Sequence, residues 1–182
     1  MSYLDRDILK LKKFAKRLGL KIYTRPYSKH KGAADYTVNS HINLFVSKST
    51  TKTEIILSLL HELGHHLDWL NVKKVSKDED IAFETLVSGS MFGKRPDINK
   101  KYRKIIYQVE KSGIKYMDKI HKALNLEIPL YKVKHQQEID LFDYKILYKK
   151  GRFATHHEIR QTVYKKIHYY RKKYGKRKKQ YL

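Results

Sequence analysis

The stretch Leu60 to His66 reads Leu-His-Glu-Leu-Gly-His-His, and it constrains the chain more than any other. Around it Ile56, Leu59, Leu60, Leu63, Leu67 and Leu70 recur at spacings of three and four, the pattern of one buried helix face. Thr51 and Glu54 form a T-x-x-E capping box that would start such a helix. On a helical backbone His61 and His65 stand one turn apart, so both imidazoles can reach a single ion. Glu62 falls in the neighbouring sector, where its carboxylate can take a proton from a water on that ion. His66 follows about 100° further round and is a poor ligand for the same ion. In a chain with ten histidines, H-E-x-x-H can also arise by chance on the rim of a core helix. The apolar stripe, the cap and an alternating strand just upstream supply the context that the metal-binding reading needs.

The rest of the composition narrows the ligand chemistry. Cysteine is absent, which excludes disulfides, thiolate zinc fingers and cysteine nucleophiles, so a metal must be held by nitrogen and oxygen. At 182 residues the chain can bury one core of ordinary size. Asp5 and Asp7 near the start, and no apolar run of membrane-spanning length, predict neither a signal peptide nor a membrane span, and a cytoplasmic protein. The net charge of +23, from 41 Lys and Arg against 18 Asp and Glu, favours contact with polyanions. The plainer reading is that lysines solvate exposed faces.

In chain order, Leu4, Ile8, Leu11, Ala15 and Leu18 predict a first amphipathic helix ending at Gly19. Strands are expected over 21–25, stopped by Pro26, then over 35–38 and over 41–46, where Ile42, Leu44 and Val46 alternate with His41, Asn43 and Phe45. A charged stretch leads to a short helix through Ala82, Phe83, Leu86 and Val87, interrupted by Gly89, Gly93 and Pro96. Residues 102–124 predict a second long helix with Ile106, Val109, Gly113, Met117, Ile120 and Leu124 on one side. Residues 136–149 predict another, ending at Gly151. A last helix is capped by Thr155 and Glu158 and continues through Ile159, Val163, Ile167, Tyr170 and Tyr174. The class is α+β and mostly helical, with a small N-terminal sheet beside the His61–His65 helix. One domain is expected over 1–174, followed by a basic tail over 175–182.

The order helix, strands, then a Leu-Leu-His-Glu-Leu-Gly-His helix resembles the ImmA/IrrE-like zincin metallopeptidases of phages and mobile elements, over about the first ninety residues. That resemblance implies a zincin-like fold, an intracellular gluzincin with two His and one Glu on zinc, and a protein substrate such as a repressor. The family's residues carry over as His61, His65 and Glu62. A metzincin would need Gly and His where this chain has Asp68 and Asn71.

The third metal ligand is therefore expected to be a downstream glutamate. Glu79 roughly matches the family's acidic position before a Phe, yet it sits in the charged run Lys77-Asp78-Glu79-Asp80. Glu84 falls on the other side of that helix. Glu110 borders the apolar stripe of the long helix, with Gly113 one turn on, where a small residue would let two helices approach closely. A lone acid at a core face needs a reason, and metal ligation is one; an ion pair with Lys104, Lys111 or Lys115 is another. Glu110 is the favoured ligand and departs from the family's tighter spacing.

The leading functional reading is a zinc peptidase acting on a protein or peptide, with Glu62 as the general base. Fifteen tyrosines and ten histidines leave the oxyanion-stabilising group open. The competing readings are a nucleic-acid-binding protein with a structural or degenerate zinc site, or a non-catalytic adaptor. From Tyr144 to Leu182 Lys and Arg far outnumber the one acid, Glu158, with Tyr164, Tyr169, Tyr170, Tyr174 and Tyr181 interspersed. Such a segment predicts non-specific nucleic-acid contact, phosphates on lysines and bases on tyrosines. The alternative is that Tyr170 and Tyr174 pack inward.

Overall fold

Short polar residues write the helix starts. Ser2 accepts from the Asp5 amide at 3.3 Å while the Asp5 carboxylate accepts from the Ser2 amide at 3.1 Å, and this reciprocal cap opens α1 (Tyr3–Arg17). The same exchange between Thr51 and Glu54 opens α2 (Lys52–Asn71). Between Thr155 and Glu158 it opens α5 (His156–Thr162). The computed structural model describes residues 2–27, 34–37, 40–71, 77–82 and 98–175. The expected break at Gly89, Gly93 and Pro96, Phe83 to Val87 with Glu84, and the tail beyond Gly175 lie outside them.

After α1 the chain reverses at Gly19, whose φ of 78° suits a residue without a side chain. It then builds a three-stranded sheet from β1 (Lys21–Pro26), β2 (Ala34–Thr37) and β3 (His41–Val46). The order is β1-β3-β2, with β1 parallel and β2 antiparallel to β3. So β3, the strand directly before α2, is the centre of the sheet, and β2 is the edge strand lying against α2. Phe45 is buried together with Ile42 and Leu44, while His41 and Asn43 on its own face are half-buried, so strict alternation fails at this one residue. Pro26 closes β1 on the sheet edge, where its missing N–H costs nothing.

The helical part follows. A short helical turn covers 77–82. The long helix α3 (Lys100–Ala123) is capped by Asn99, whose side chain accepts from the Lys101 amide. Its buried residues are Ile106, Glu110, Gly113, Ile114, Met117 and Ile120, so Glu110 stands on the apolar stripe and Val109 is only half-buried. Next comes α4 (Leu130–Lys150), which starts directly after Pro129 and ends in left-handed Gly151. The expected single last helix is instead two: α5 ends at Thr162 with Val163 as its C-cap, a tight turn spans Tyr164–Lys166, and α6 runs Ile167–Tyr174. The tighter turn rotates each residue further than an α-helix does. It lets Val163 stay fully buried while Tyr170 swings onto Glu138 of α4.

One apolar cluster joins α1, the sheet, α2 and the C-terminal half of α3 through Leu11, Ile42, Leu60, Leu63, Ile114 and Met117. A second joins Ala82, Ile98, Ile106 and Leu147. Glu110 lies on α3 between Ile106 of one cluster and Ile114 of the other. The protein is mostly helical α+β with a small sheet. Among the described residues no helix is long and apolar enough to cross a membrane.

Candidate metal centre

Two glycines decide how closely α2 and α3 cross. A Cβ on Gly64 would stand 2.6 Å from the Gly113 carbonyl oxygen, and a Cβ on Gly113 would stand 2.5 Å from Nδ1 of His65. A larger residue at Gly64 would push the helices apart, and one at Gly113 would displace the His65 ring. The contact brings Glu110, one turn before Gly113, opposite the two histidines of α2.

The donor atoms of His61, His65 and Glu110 all lie within 4.8 Å of one another, a group able to hold a metal ion. Nε2 of His65 is 3.1 Å from Nε2 of His61 and 3.1 Å from Oε2 of Glu110, and His61 Nε2 is 3.5 Å from the same oxygen. Ligands at about 2.0–2.1 Å from a tetrahedral zinc are separated by about 3.3 Å, so the triangle has the edge lengths that such a site requires. The chemistry of the set agrees. A carboxylate only accepts, and a neutral imidazole whose other nitrogen is protonated only accepts at Nε2. Three such groups turned on one point need a positive centre, a proton or a metal ion, between them. The donors fit zinc.

Burial would lower the basicity of His61, but the hydrogen bonds it donates to the Asp140 and Glu110 carboxylates outweigh it and hold its pKa well above the usual value. His65 is likewise raised, burial being overcome by Glu110. Glu110 is 4% exposed; burial would raise it, and the two imidazoles instead hold it below the ordinary carboxylate range. Glu62, beside this triangle, goes the other way. Burial raises it, with Glu110 and Asp35 adding to the effect and the imidazoles opposing. A carboxylate whose basicity is raised next to a cation site suits proton transfer.

All four residues singled out by the motif and the stripe, His61, Glu62, His65 and Glu110, thus meet at one place. Glu79 sits on the 77–82 turn and is not part of the group, and Glu110 pairs with histidines rather than with Lys104, Lys111 or Lys115. His66 points elsewhere, its Nδ1 2.7 Å from the Tyr36 hydroxyl and its ring stacked on Trp69. Asp68 accepts from Ser112 at 2.6 Å.

Two residues at the site were not singled out by sequence, both on α4. Asp140 Oδ2 lies 3.1 Å from His61 Nδ1. Tyr144 faces Glu110, Glu62 and Asp140; burial and these charges hold its hydroxyl well above the usual tyrosine value, so it remains a donor. The only sequence trace of them is their spacing of four on a helix that bears no motif.

Comparison of the chain with protein-family models, with curated proteins and with solved structures finds no match.

In the C-terminal region Tyr170 donates to Glu138 at 2.8 Å, and Tyr174 stacks on Tyr170. Tyr169 is 55% exposed, with Lys173 over its ring.

Proposed function

We propose that the protein is a zinc-dependent peptidase of the gluzincin type, with His61, His65 and Glu110 holding the metal. The observation that carries this reading is the three-donor triangle with Glu62 at its side. When bound there, zinc supplies Lewis acidity that brings the pKa of a water to about 7 and polarises a carbonyl. Glu62 accepts the proton of the attacking water and delivers it to the departing amine nitrogen. The Tyr144 hydroxyl, which hydrogen-bonds Glu110, is a donor at the site for a substrate carbonyl oxygen. Among the described residues the edge strand β2 flanks α2 and pairs with β3 alone, an arrangement that suits an extended peptide.

The test uses the zinc-loaded chain on a diverse peptide library, with cleavage read by mass spectrometry. Wild type is expected to cut at reproducible sites, and a chelator or Glu62→Gln is expected to abolish cutting while Glu62→Gln keeps its zinc. Full zinc occupancy with no cleavage of any peptide would contradict the peptidase and leave a structural metal site.

A second property concerns the basic C-terminal region. Exposed Tyr169 and Tyr164, set among lysines, favour weak, sequence-tolerant binding of single-stranded nucleic acid. Fluorescence anisotropy should then show affinity that falls steeply with salt, and a flat response at low ionic strength would exclude it.

A further inference from the structure

Gln136, Asp140 and Tyr144 stand four residues apart along α4 and therefore share one face. That face turns toward the metal centre. Gln137, next to it, donates to the Ile114 carbonyl at 2.7 Å and fixes α4 against α3. The Asp140 carboxylate uses both oxygens: Oδ2 lies 3.1 Å from His61 Nδ1, and Oδ1 accepts from Gln136 Nε2 at 2.8 Å.

A carboxylate can only accept here, so the proton between Asp140 and His61 belongs to Nδ1. In the neutral ring, the form that binds a metal, this leaves the lone pair on Nε2, the nitrogen facing His65 and Glu110. The opposite tautomer would put a hydrogen in the middle of the donor triangle. We infer that Asp140 is a positioning residue that sets the tautomer and ring orientation of His61 for metal binding, and that Gln136 holds the carboxylate in place. The inference rests on the metal-site reading above and adds to it residues from a helix outside the motif. Carboxylates that orient a ligating histidine commonly raise metal affinity about 10–100-fold.

An ordinary salt bridge tying α4 to α2 would also lose strength on mutation, so the experiment exchanges donors and acceptors. Zinc affinity is measured by competition with a chromophoric chelator for wild type, Asp140→Ala, Asp140→Asn and the double variant Asp140→Asn with Gln136→Glu. In Asp140→Asn, keeping the bond from Gln136 turns the new amine on His61 Nδ1 and favours the wrong tautomer. A glutamate at 136 only accepts, so it draws that amine away and returns the amide oxygen to Nδ1–H. Cadmium-113 to nitrogen-15 couplings in the cadmium-loaded proteins report which nitrogen of His61 is bound, a signature that a mere latch does not control.

The expected result is about 10–100-fold weaker zinc binding for Asp140→Ala and Asp140→Asn. The double variant should recover to within a few-fold, with Nε2 coordination restored. Circular dichroism checks that each variant is folded; should Asp140→Ala not fold, Asp140→Asn against the double variant carries the decision. Equal affinities and unchanged Nε2 coupling across all four proteins would overturn the role of Asp140 and leave the metal site intact. A wild type that binds neither zinc nor cadmium would overturn the metal site itself.

Discussion

Asp7 and Glu110 are both buried carboxylates, 0% and 4% exposed, and their surroundings differ in kind. Asp7 on α1 accepts from two backbone amides, Glu127 at 2.9 Å and Ile128 at 2.7 Å, with the Lys10 ammonium at 4.0 Å. It pins the loop after α3 to the first helix, and the fold satisfies each of its oxygens with a fixed N–H donor. Glu110 lies against the imidazoles of His61 and His65, with Tyr144 facing it, and both imidazoles turn the same nitrogen inward. A buried carboxylate satisfied by backbone is a structural device. One facing two imidazole nitrogens is satisfied by a proton they carry or by a cation that joins all three. The two residues should therefore fail in opposite ways when changed.

The largest effect is expected at Glu110. Glu110→Ala removes a charged ligand and leaves two neutral imidazoles holding a dication, so zinc affinity should fall by more than about 100-fold. Glu79→Ala should stay within a few-fold of wild type in the same titration. The reverse ranking would move the third ligand to the 77–82 turn and dissolve the contrast with Asp7.

Gly113→Ala comes next. Its new Cβ would meet His65 Nδ1 at 2.5 Å, so the ring must move and zinc affinity should drop about 10–100-fold. Wild-type affinity in this variant would mean that the α2–α3 crossing does not set the geometry of the site.

Asp7→Asn should show the opposite pattern. The amide that replaces one oxygen faces a backbone N–H, donor against donor, and the loss is about 1.5–3 kcal/mol of stability, read from urea unfolding. Zinc per chain should not change. A loss of zinc with unchanged stability would make Asp7 part of the site and erase the comparison.

The smallest effect distinguishes a third carboxylate. Asp143 accepts from the Ala154 amide at 2.6 Å, yet burial, partly offset by that bond and reinforced by Asp140, pushes its pKa up to about 6. A raised carboxylate favours the folded state while protonated, so its contribution is complete below the unfolded value near 3.8 and is lost as pH rises through about 6. Asp143→Asn should therefore gain stability over wild type as pH rises from 4 to 7, with little difference below 4. Parallel stability curves across that range would show that Asp143 ionises freely.

How far such contrasts are visible before folding depends on where the information lies. His61, Glu62 and His65 are legible because one helix carries all three and its period fixes their faces. Glu110 was accessible through an apolar stripe that contains one acid and a glycine, both of which pack against α2. Asp140 and Tyr144 were not. They reach the site only because α4 packs across α3, and nothing in 130–150 marks that face in advance. The split between α5 and α6 was hidden for a related reason. Val163 and Tyr170 fit a single helical stripe on paper, and the tight turn over Tyr164–Lys166 re-phases them to meet α4. The position of β3 at the centre of the sheet depends on strand order, which alternation does not encode.

The most direct measurement is the zinc content of purified, zinc-equilibrated protein by inductively coupled plasma mass spectrometry, for wild type, Glu62→Gln and the double variant His61→Ala with His65→Ala. One zinc per chain is predicted for wild type and for Glu62→Gln, and none for the double variant. Equal zinc in all three would place any metal elsewhere and contradict the assignment of this centre.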